Sequence, residues 1–284
     1  MIEAQELRRR VRRGAKRVRV RTARWLEEPS AASTHQLRTA LRRLRVAFAL
    51  LPGAVRKRRR ARRFVREARA LFQACSALRD ADVMRGRAAV LPPALGAALI
   101  ARVEADRAAW EDRARRRARK LLATKVPALR AAALEGAAVA RRAVKVVGEL
   151  GRTVRRQLPA ALRVDEPPET LHGVRKACKS LRYAYELVAP EPAPAPPPTL
   201  DPRQLAKQPS APRSPIDWAR ALQDALGELH DLDVIVALLE ALEPVADRLE
   251  VLEMARAQRA SKLEELAVFV RRTPELMPTI APVT

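Results

Sequence analysis

The feature that most constrains the fold is a basic helical motif that occurs twice, at an offset of 137 residues. The first copy, HQLRTALRRLR, spans residues 35–45, and the second, HGVRKACKSLR, spans residues 172–182. Each copy begins with a histidine and carries basic residues three, seven and ten positions later. On an α-helix, four side chains at these positions fall within an arc of roughly 80°. The motif therefore predicts two helices, each with one narrow cationic face.

Apolar residues repeat in the same register as the basic residues. In the first copy the apolar positions are Leu37, Leu41, Leu44, Phe48 and Leu51. In the second copy, 137 residues later, they are Val174, Cys178, Leu181, Tyr185 and Val188. Each basic stripe lies one residue round the helix from its apolar stripe, so it is expected to flank the core. The duplication of both stripes predicts two similar helical halves.

Composition and the spacing of turn residues favour an all-α fold. The chain has 284 residues, of which 48% are hydrophobic and only nine are glycine, and it is rich in Ala, Leu and Arg. These residue types favour helices, and no alternating strand-like runs bounded by turn signals are found. We predict about ten antiparallel helices in two similar halves.

The prolines and caps predict where the helical segments begin and end. Ser33 and Gln36 fit a capping box for the first motif helix, and residues 94–124 form one long basic helix. The helical domain is predicted to span residues 5–272, with a first half at 5–160 and a second half at 165–272. A Pro-rich insert at 189–215 is expected to be a loop, and residues 273–284 a flexible tail.

Positive charge is concentrated in the first half of the chain. The net charge is +25, and residues 1–160 contain 42 basic against 13 acidic side chains. Residues 161–284 contain 15 basic against 19 acidic side chains, yet the second motif keeps its cationic face. A general excess of arginine does not easily explain cations retained in an acidic half. Such a charge attracts polyanions, whether nucleic acid, anionic lipid or a phosphate polymer.

A second element, Asp-x-Asp followed by Val, also occurs twice. It places Asp80 and Asp82 in the first half and Asp231 and Asp233 in the second. We interpret these carboxylates as groups that position basic side chains, with a magnesium site as the less favoured alternative. His230 stands where the first copy has an arginine, so we assign its imidazole a structural role.

The sequence predicts a cytoplasmic protein. The N-terminus has no apolar signal core, and nowhere do 18 apolar residues run together, so no membrane span is expected. Cys75 and Cys178 stand where the helical pattern requires apolar residues, and we expect both to be buried free thiols.

These duplicated motifs resemble the CHAD domain, the conserved histidine α-helical domain. The resemblance rests on the paired histidine helices, on RDADV at 79–83, KSLRY at 179–183 and LQDALGELHD at 222–231, and it covers about residues 5–272. It implies two helical bundles related by pseudo-twofold symmetry, with a basic channel between them. CHAD domains are often joined to a strand-rich CYTH domain, and no such segment is found in this chain, so we expect a stand-alone CHAD domain.

The resemblance further implies a non-enzymatic protein that binds inorganic polyphosphate in this channel. The residues carried over to the two walls are His35, Arg38, Arg42, Arg45, His172, Arg175, Lys179 and Arg182. The charge run that contains Arg56, Arg60 and Arg63 is interpreted mainly as a solvated face, with flanking contacts from these three residues as the less favoured alternative. No catalytic residue, metal ion or cofactor is expected. Association with polyphosphate granules and weak, non-specific nucleic acid binding are compatible with these predictions.

The chemistry of the two motifs fits a ligand that is a row of anionic oxygens. Arginine pairs bidentately with phosphate oxygens, and spacings of three and four residues place successive donors about 5 Å apart along the helix. One alternative is a metal-dependent phosphohydrolase, suggested by His172 with His230 and Asp231. Another is a general nucleic acid binder, although nine aromatic residues leave few platforms for base stacking.

Overall fold

In the computed structural model, the described residues are 2–130, 134–163, 167–189, 212, 214–242, 244 and 247–274. Over these ranges the chain forms ten helices and no strand, which confirms the all-α prediction. The helices are α1 (Ala4–Glu27), α2 (Ala31–Ala49), α3 (Gly53–Arg56), α4 (Arg59–Ala88), α5 (Pro93–Glu104), α6 (Arg107–Ala123), α7 (Gly136–Ala161), α8 (Pro168–Val188), α9 (Pro215–Glu240) and α10 (Arg248–Arg272). Most of the predicted loop at 189–215 and of the tail at 273–284 lies outside the described residues.

The first apolar cluster is formed mainly by α1, α2, α4 and α6. The apolar stripe of the first motif is buried in it, and Leu37, Leu41 and Leu44 are at most 2% exposed. Trp25 from α1 and Phe64 from α4 are fully buried in the same cluster. The apolar face predicted for α2 is therefore confirmed, and it fixes the rotation of this helix about its axis.

The second apolar cluster is formed by α8, α9, α10 and the C-terminal part of α7. Val174, Cys178 and Leu181 of the second motif are completely buried in it, against Trp218 of α9. Tyr185 packs at the edge of this cluster and remains half-buried. As in the first half, burial of the apolar stripe leaves the basic stripe beside the core.

Helix α7 connects the two clusters. Its N-terminal part places Val139 and Ala143 in the first cluster, whereas its C-terminal part places Val154 and Leu158 in the second. A helix of 26 residues is about 39 Å long, enough to lie against both clusters. Apolar packing is thus shared along this helix and does not stop between the two halves.

The halves also contact each other directly. Val46 of α2 packs against Tyr183 and Ala184 of α8, so the two motif helices lie side by side. Farther along, Met84 of α4 belongs to an apolar cluster against which Val234 of α9 packs. These contacts bring the two basic stripes toward a common space.

Two local predictions were wrong. Helix α2 begins at Ala31 and its N-cap is Ser30, whose hydroxyl accepts from the Ser33 amide at 3.1 Å; the Ser30 amide donates to the Ser33 hydroxyl at 2.8 Å. Residues 94–124 form two helices, α5 and α6, in place of one. Both helices pack against α4, and in the first turn of α5 Gly96 lies so close to the Ala88 carbonyl that a Cβ would be 2.6 Å from the oxygen.

The cysteines behave as the sequence predicted. Cys75 and Cys178 are buried free thiols, and burial raises the pKa of each to about 12. Both thiols therefore stay protonated at neutral pH and serve as small apolar side chains. No helix within the described ranges is long and apolar enough to cross a membrane.

Candidate functional site

A cavity of about 1090 Å³ lies between α2, α4, α7, α8 and α9; we call it the central cavity. Nine basic side chains line it: Arg38, Arg42, Arg45, Arg69, Arg79, Arg142, Arg175, Lys176 and Lys179. The other titratable side chains of its lining are His35, His172, His230, Asp80, Glu149 and Asp231. With nine cations against three carboxylates, the field inside the cavity is strongly positive.

The four predicted residues of the first motif all line the central cavity. Arg38 is held in place because its Nη1 donates to the Phe72 carbonyl at 3.1 Å and to the Ser76 hydroxyl at 2.7 Å. The guanidinium groups of Arg38, Arg42 and Arg45 lie 4.5, 5.2 and 5.6 Å from the centre of the Phe72 ring. The ring stabilises three neighbouring cations through cation–π contacts and so keeps this wall ordered.

The second motif contributes three of its four predicted residues to the lining, His172, Arg175 and Lys179. Arg182 does not line the cavity. Its Nε donates to Gln223 at 2.8 Å and its Nη1 pairs with Glu186 at 2.6 Å. The Glu186 carboxylate and the Gln223 amide oxygen therefore hold this guanidinium outside the cavity lining.

None of the three predicted flanking arginines lines the central cavity. The pKa of Arg56 is lowered by burial and then by Arg142, a residue of the cavity wall. Arg60 is exposed in the first turn of α4. Arg63 lines a separate cleft between α4 and α6. Nearness in sequence to the first motif did not bring these side chains into the cavity. Arg60 and Arg63 lie on α4 before Arg69, where the part of this helix that lines the cavity begins.

His230 lies in the central cavity against His172, a contact that the sequence did not predict. The two Nδ1 atoms are 3.3 Å apart and the ring centres 4.5 Å apart. A hydrogen bond at this distance requires one Nδ1 to donate and the other to accept. The repeat could have indicated that His230 lies in the cavity. Arg79, which occupies the equivalent position in the first half, also lines it.

Four further cations of the lining, Arg69, Arg79, Arg142 and Lys176, were missed at the sequence level. Arg142 is fixed by a 2.9 Å hydrogen bond from its Nε to the Ala49 carbonyl at the end of α2. Arg69 and Arg142 belong to no motif, and the packing of α4 and α7 around the motif helices selects them. Arg79 belongs to the repeated Asp element and Lys176 to the second motif, but neither is one of the four positions of the basic stripe.

Burial and mutual repulsion lower the basicity of the cavity residues. The pKa of Lys179 falls to about 7, first because of burial and then because of Arg175 and Arg42. The pKa values of His172 and His230 fall to about 4, again with burial as the main cause. At neutral pH both imidazoles are therefore uncharged, and Lys179 is only partly protonated. An anion in the cavity would reverse these shifts, because it stabilises the charged forms.

The two residues of each Asp-x-Asp element have different surroundings. Asp80 and Asp231 line the central cavity, and Asp231 also accepts from Arg87 at 2.8 Å, which ties α9 to α4. Asp82 and Asp233 are buried at the back of the same helices. Their partners come from neighbouring helices, since Asp82 pairs with Arg107 of α6 at 3.0 Å and Asp233 pairs with Arg259 of α10.

The buried aspartates thus join helices, in keeping with a positioning role. Each pairs through Oδ1, while the Oδ2 atoms of Asp82 and Asp233 have no hydrogen-bond partner among the described residues. The less favoured alternative was a magnesium site. Across the described ranges, no group of three or more His, Cys, Asp or Glu side chains is placed to hold a metal ion.

The fold and the site define a class: an all-α protein in which two histidine-bearing helices flank a cavity lined by cations. The model of the CHAD domain family matches residues 9–240, so the chain belongs to the CHAD domain family.

The fold is also similar to a solved structure. The fold is similar to the crystal structure of the CHAD domain from the plant Ricinus communis, with a TM-score of 0.61 and 20% sequence identity. The match covers 95% of this chain and 92% of that one, so the likeness extends over nearly the whole fold. No curated protein matches the chain.

Proposed function

We propose that this protein binds inorganic polyphosphate in the central cavity and does not act on it as an enzyme. The observation that carries the proposal is the meeting of the two motif helices around a space of about 1090 Å³ lined by nine Lys or Arg side chains. Membership of the CHAD domain family supports it, since the resemblance implies polyphosphate as the ligand.

The arrangement of donors suits a linear phosphate polymer. Along α2, the guanidinium groups of Arg38, Arg42 and Arg45 recur about every helical turn, roughly 5 Å apart. Arg175 and Lys179 recur in the same way along α8. Two facing rows of donors can contact successive phosphates of one chain without selecting any sequence, and bidentate pairing by arginine strengthens each contact.

The surroundings of Phe72 favour polyphosphate over nucleic acid. Among the residues that the structure describes, Phe72 is the one aromatic residue other than histidine in the cavity lining, and three guanidinium groups lie around its ring. A ring occupied in this way is a poor platform for base stacking, the contact on which many binders of single-stranded nucleic acid depend. We expect DNA or RNA to compete weakly with long-chain polyphosphate at equal phosphate concentration.

Titration with long-chain polyphosphate tests the proposal. The variant Arg42→Glu with Lys179→Glu reverses one charge on each wall and is expected to weaken binding by at least about tenfold. The matched control, Arg12→Glu with Lys16→Glu, makes the same change in net charge on an exposed face of α1, outside the cavity lining. Equal affinities of the wild type and the cavity variant would contradict the assignment of the site.

A phosphate-release assay tests the non-enzymatic part of the proposal. Wild-type protein incubated with polyphosphate and Mg²⁺ or Mn²⁺ is expected to release no more phosphate than a protein-free sample. Release that depends on the protein and is abolished by His172→Ala would favour the metal-dependent phosphohydrolase instead.

A further inference from the structure

A second basic cleft, of about 440 Å³, lies on the outside of α4 and α6; we call it the outer cleft. It is lined by Arg59, Arg62, Arg63, Arg66, Glu67 and Lys120. Five of these six side chains are cationic and exposed, and none of them belongs to the lining of the central cavity. The outer cleft is therefore a separate concentration of positive charge.

The charges of the outer cleft are poorly compensated within the protein. Arg59, Arg62 and Arg63 form no ion pair with any side chain in the parts of the chain that the structure describes. Like charges three or four residues apart destabilise a helix, and Arg59 is so placed relative to both Arg62 and Arg63. Arg66 is so placed relative to the same two residues. A bound anion would relieve this repulsion.

Within the described part of the chain, the carboxylate of Glu67 is the only acidic group in the lining of the outer cleft. Its side chain is 3% exposed, accepts from Arg66 at 3.2 Å and lies 4.0 Å from Nζ of Lys120. It therefore neutralises part of the positive charge of Arg66 and Lys120. The guanidinium groups of Arg59, Arg62 and Arg63 remain available to bind a ligand. The ligand class that fits is a polyanion with closely spaced oxygens.

Helix α4 connects the outer cleft with the central cavity. Arg62, Arg66, Arg69 and Gln73 follow one another at spacings of four, three and four residues, so they share one side of the helix. Arg62 and Arg66 line the outer cleft, whereas Arg69 and Gln73 line the central cavity. From Arg62 to Arg69 the helix rises only about 10 Å.

We propose that the outer cleft is a second polyphosphate subsite, which holds the part of a long chain that leaves the central cavity past Arg69. The inference rests on the proposed function of the central cavity and adds a preference for long chains. A chain that reaches both sites binds them as one ligand, so the second site raises affinity through effective concentration. A short oligophosphate occupies the central cavity alone and gains nothing from the cleft.

The experiment compares long-chain polyphosphate with tripolyphosphate, titrated at one ionic strength. The cleft variant Arg59→Glu with Arg63→Glu is expected to weaken long-chain binding by at least about tenfold and to leave tripolyphosphate within about twofold of wild type. Arg12→Glu with Lys16→Glu is the matched control, because it pairs residues four apart on an exposed helix face and makes the same charge change. It is expected to leave the ratio of the two affinities unchanged.

A second variant acts in the opposite direction. Glu67→Gln removes the carboxylate at the base of the outer cleft, and it is expected to strengthen long-chain binding by at least about twofold with tripolyphosphate unchanged. Thermal unfolding of each variant checks that the fold is retained. The two variants together separate a subsite from a general loss of structure.

The outcomes distinguish this inference from the proposed function. Long-chain affinity unchanged in Arg59→Glu with Arg63→Glu overturns the second subsite and leaves the central cavity as the site. An equal loss for both probes also overturns it, because the cleft would then act through net charge. If wild-type protein binds neither probe, the proposed function and the second subsite both fail.

Discussion

Lys179 is the cavity residue whose charge responds most directly to a ligand near neutral pH. Burial, Arg175 and Arg42 hold its pKa at about 7. A bound polyanion stabilises the ammonium form and raises this pKa, so binding takes up a proton when the free amine is neutral. The affinity is therefore expected to fall as the pH rises above about 7, toward the higher pKa of the complex.

Calorimetry of polyphosphate binding at pH 8 in buffers of different ionisation enthalpy measures this proton uptake. Lys179→Arg is the control, because arginine remains charged at pH 8. This variant is expected to lose most of the proton uptake and to keep its affinity for polyphosphate. Equal proton uptake by the wild type and Lys179→Arg would show that another group titrates.

For single residues, the repeat points to most of the side chains of the two basic stripes that line the cavity, but it does not determine the lining by itself. His35 and His172 were found because both residues recur at the same offset beside the same cations. Arg182 has the same repeat signature, yet Glu186 and Gln223 draw it away from the cavity. Arg142 reaches the cavity from a helix without any motif, so only tertiary packing could identify it.

At the level of helices, the contact between α4 and α5 depends on Gly96. A Cβ at this position would lie 2.6 Å from the Ala88 carbonyl oxygen, so the helices would have to move apart. Gly96→Ala is expected to lower the free energy of unfolding by about 1–3 kcal/mol. Gly86→Ala is the matched control, because open space surrounds that position and alanine favours a helix by up to about 1 kcal/mol. Urea unfolding measures both, and equal effects would contradict the close approach.

The buried pair of Asp233 and Arg259 joins α9 to α10. Asp233→Ala leaves a guanidinium with little access to water, and it is expected to lower the free energy of unfolding by roughly 2–4 kcal/mol. Asp231 pairs with Arg87 and is more exposed than Asp233. Asp231→Ala is therefore expected to lower the free energy of unfolding by no more than about 1 kcal/mol. Denaturant titration of both variants tests the difference, and a larger loss for Asp231→Ala would contradict it.

Helix identity could be predicted far better than helix ends. The apolar stripes fixed the buried faces of α2 and α8, because a period of 3.6 residues has few alternatives over five positions. The break between α5 and α6 could not be predicted, since both segments have good helix formers and no proline separates them. The two helices pack separately against α4, which is a property of the tertiary structure.

For the whole molecule, the net charge of +25 predicts binding that depends strongly on salt. Neutralising several phosphates releases counterions, so raising monovalent salt from about 50 to about 200 mM is expected to weaken long-chain binding by at least about tenfold. Tripolyphosphate is expected to show a smaller dependence because it engages fewer cations. Fluorescence titrations at four salt concentrations measure the two slopes, and equal slopes would argue against an extended contact.

The uneven distribution of charge along the sequence indicates part of the site. The acidic second half keeps its cationic motif, which a general excess of arginine does not easily explain, and this contrast indicates a functional role for the second motif helix. The volume and outline of the central cavity could not be predicted, because they depend on α4, α7 and α9 closing around α2 and α8. The CHAD family model matches residues 9–240, and the likeness to the plant CHAD domain covers 95% of this chain.

A crystal structure of the protein with long-chain polyphosphate tests the central claim most directly. The proposal predicts consecutive phosphates between α2 and α8, with oxygens about 3 Å from the side-chain nitrogens of Arg42, Arg175 and Lys179. Phosphates bound only on the outer surface, with the central cavity free of phosphate at saturating ligand, would contradict it.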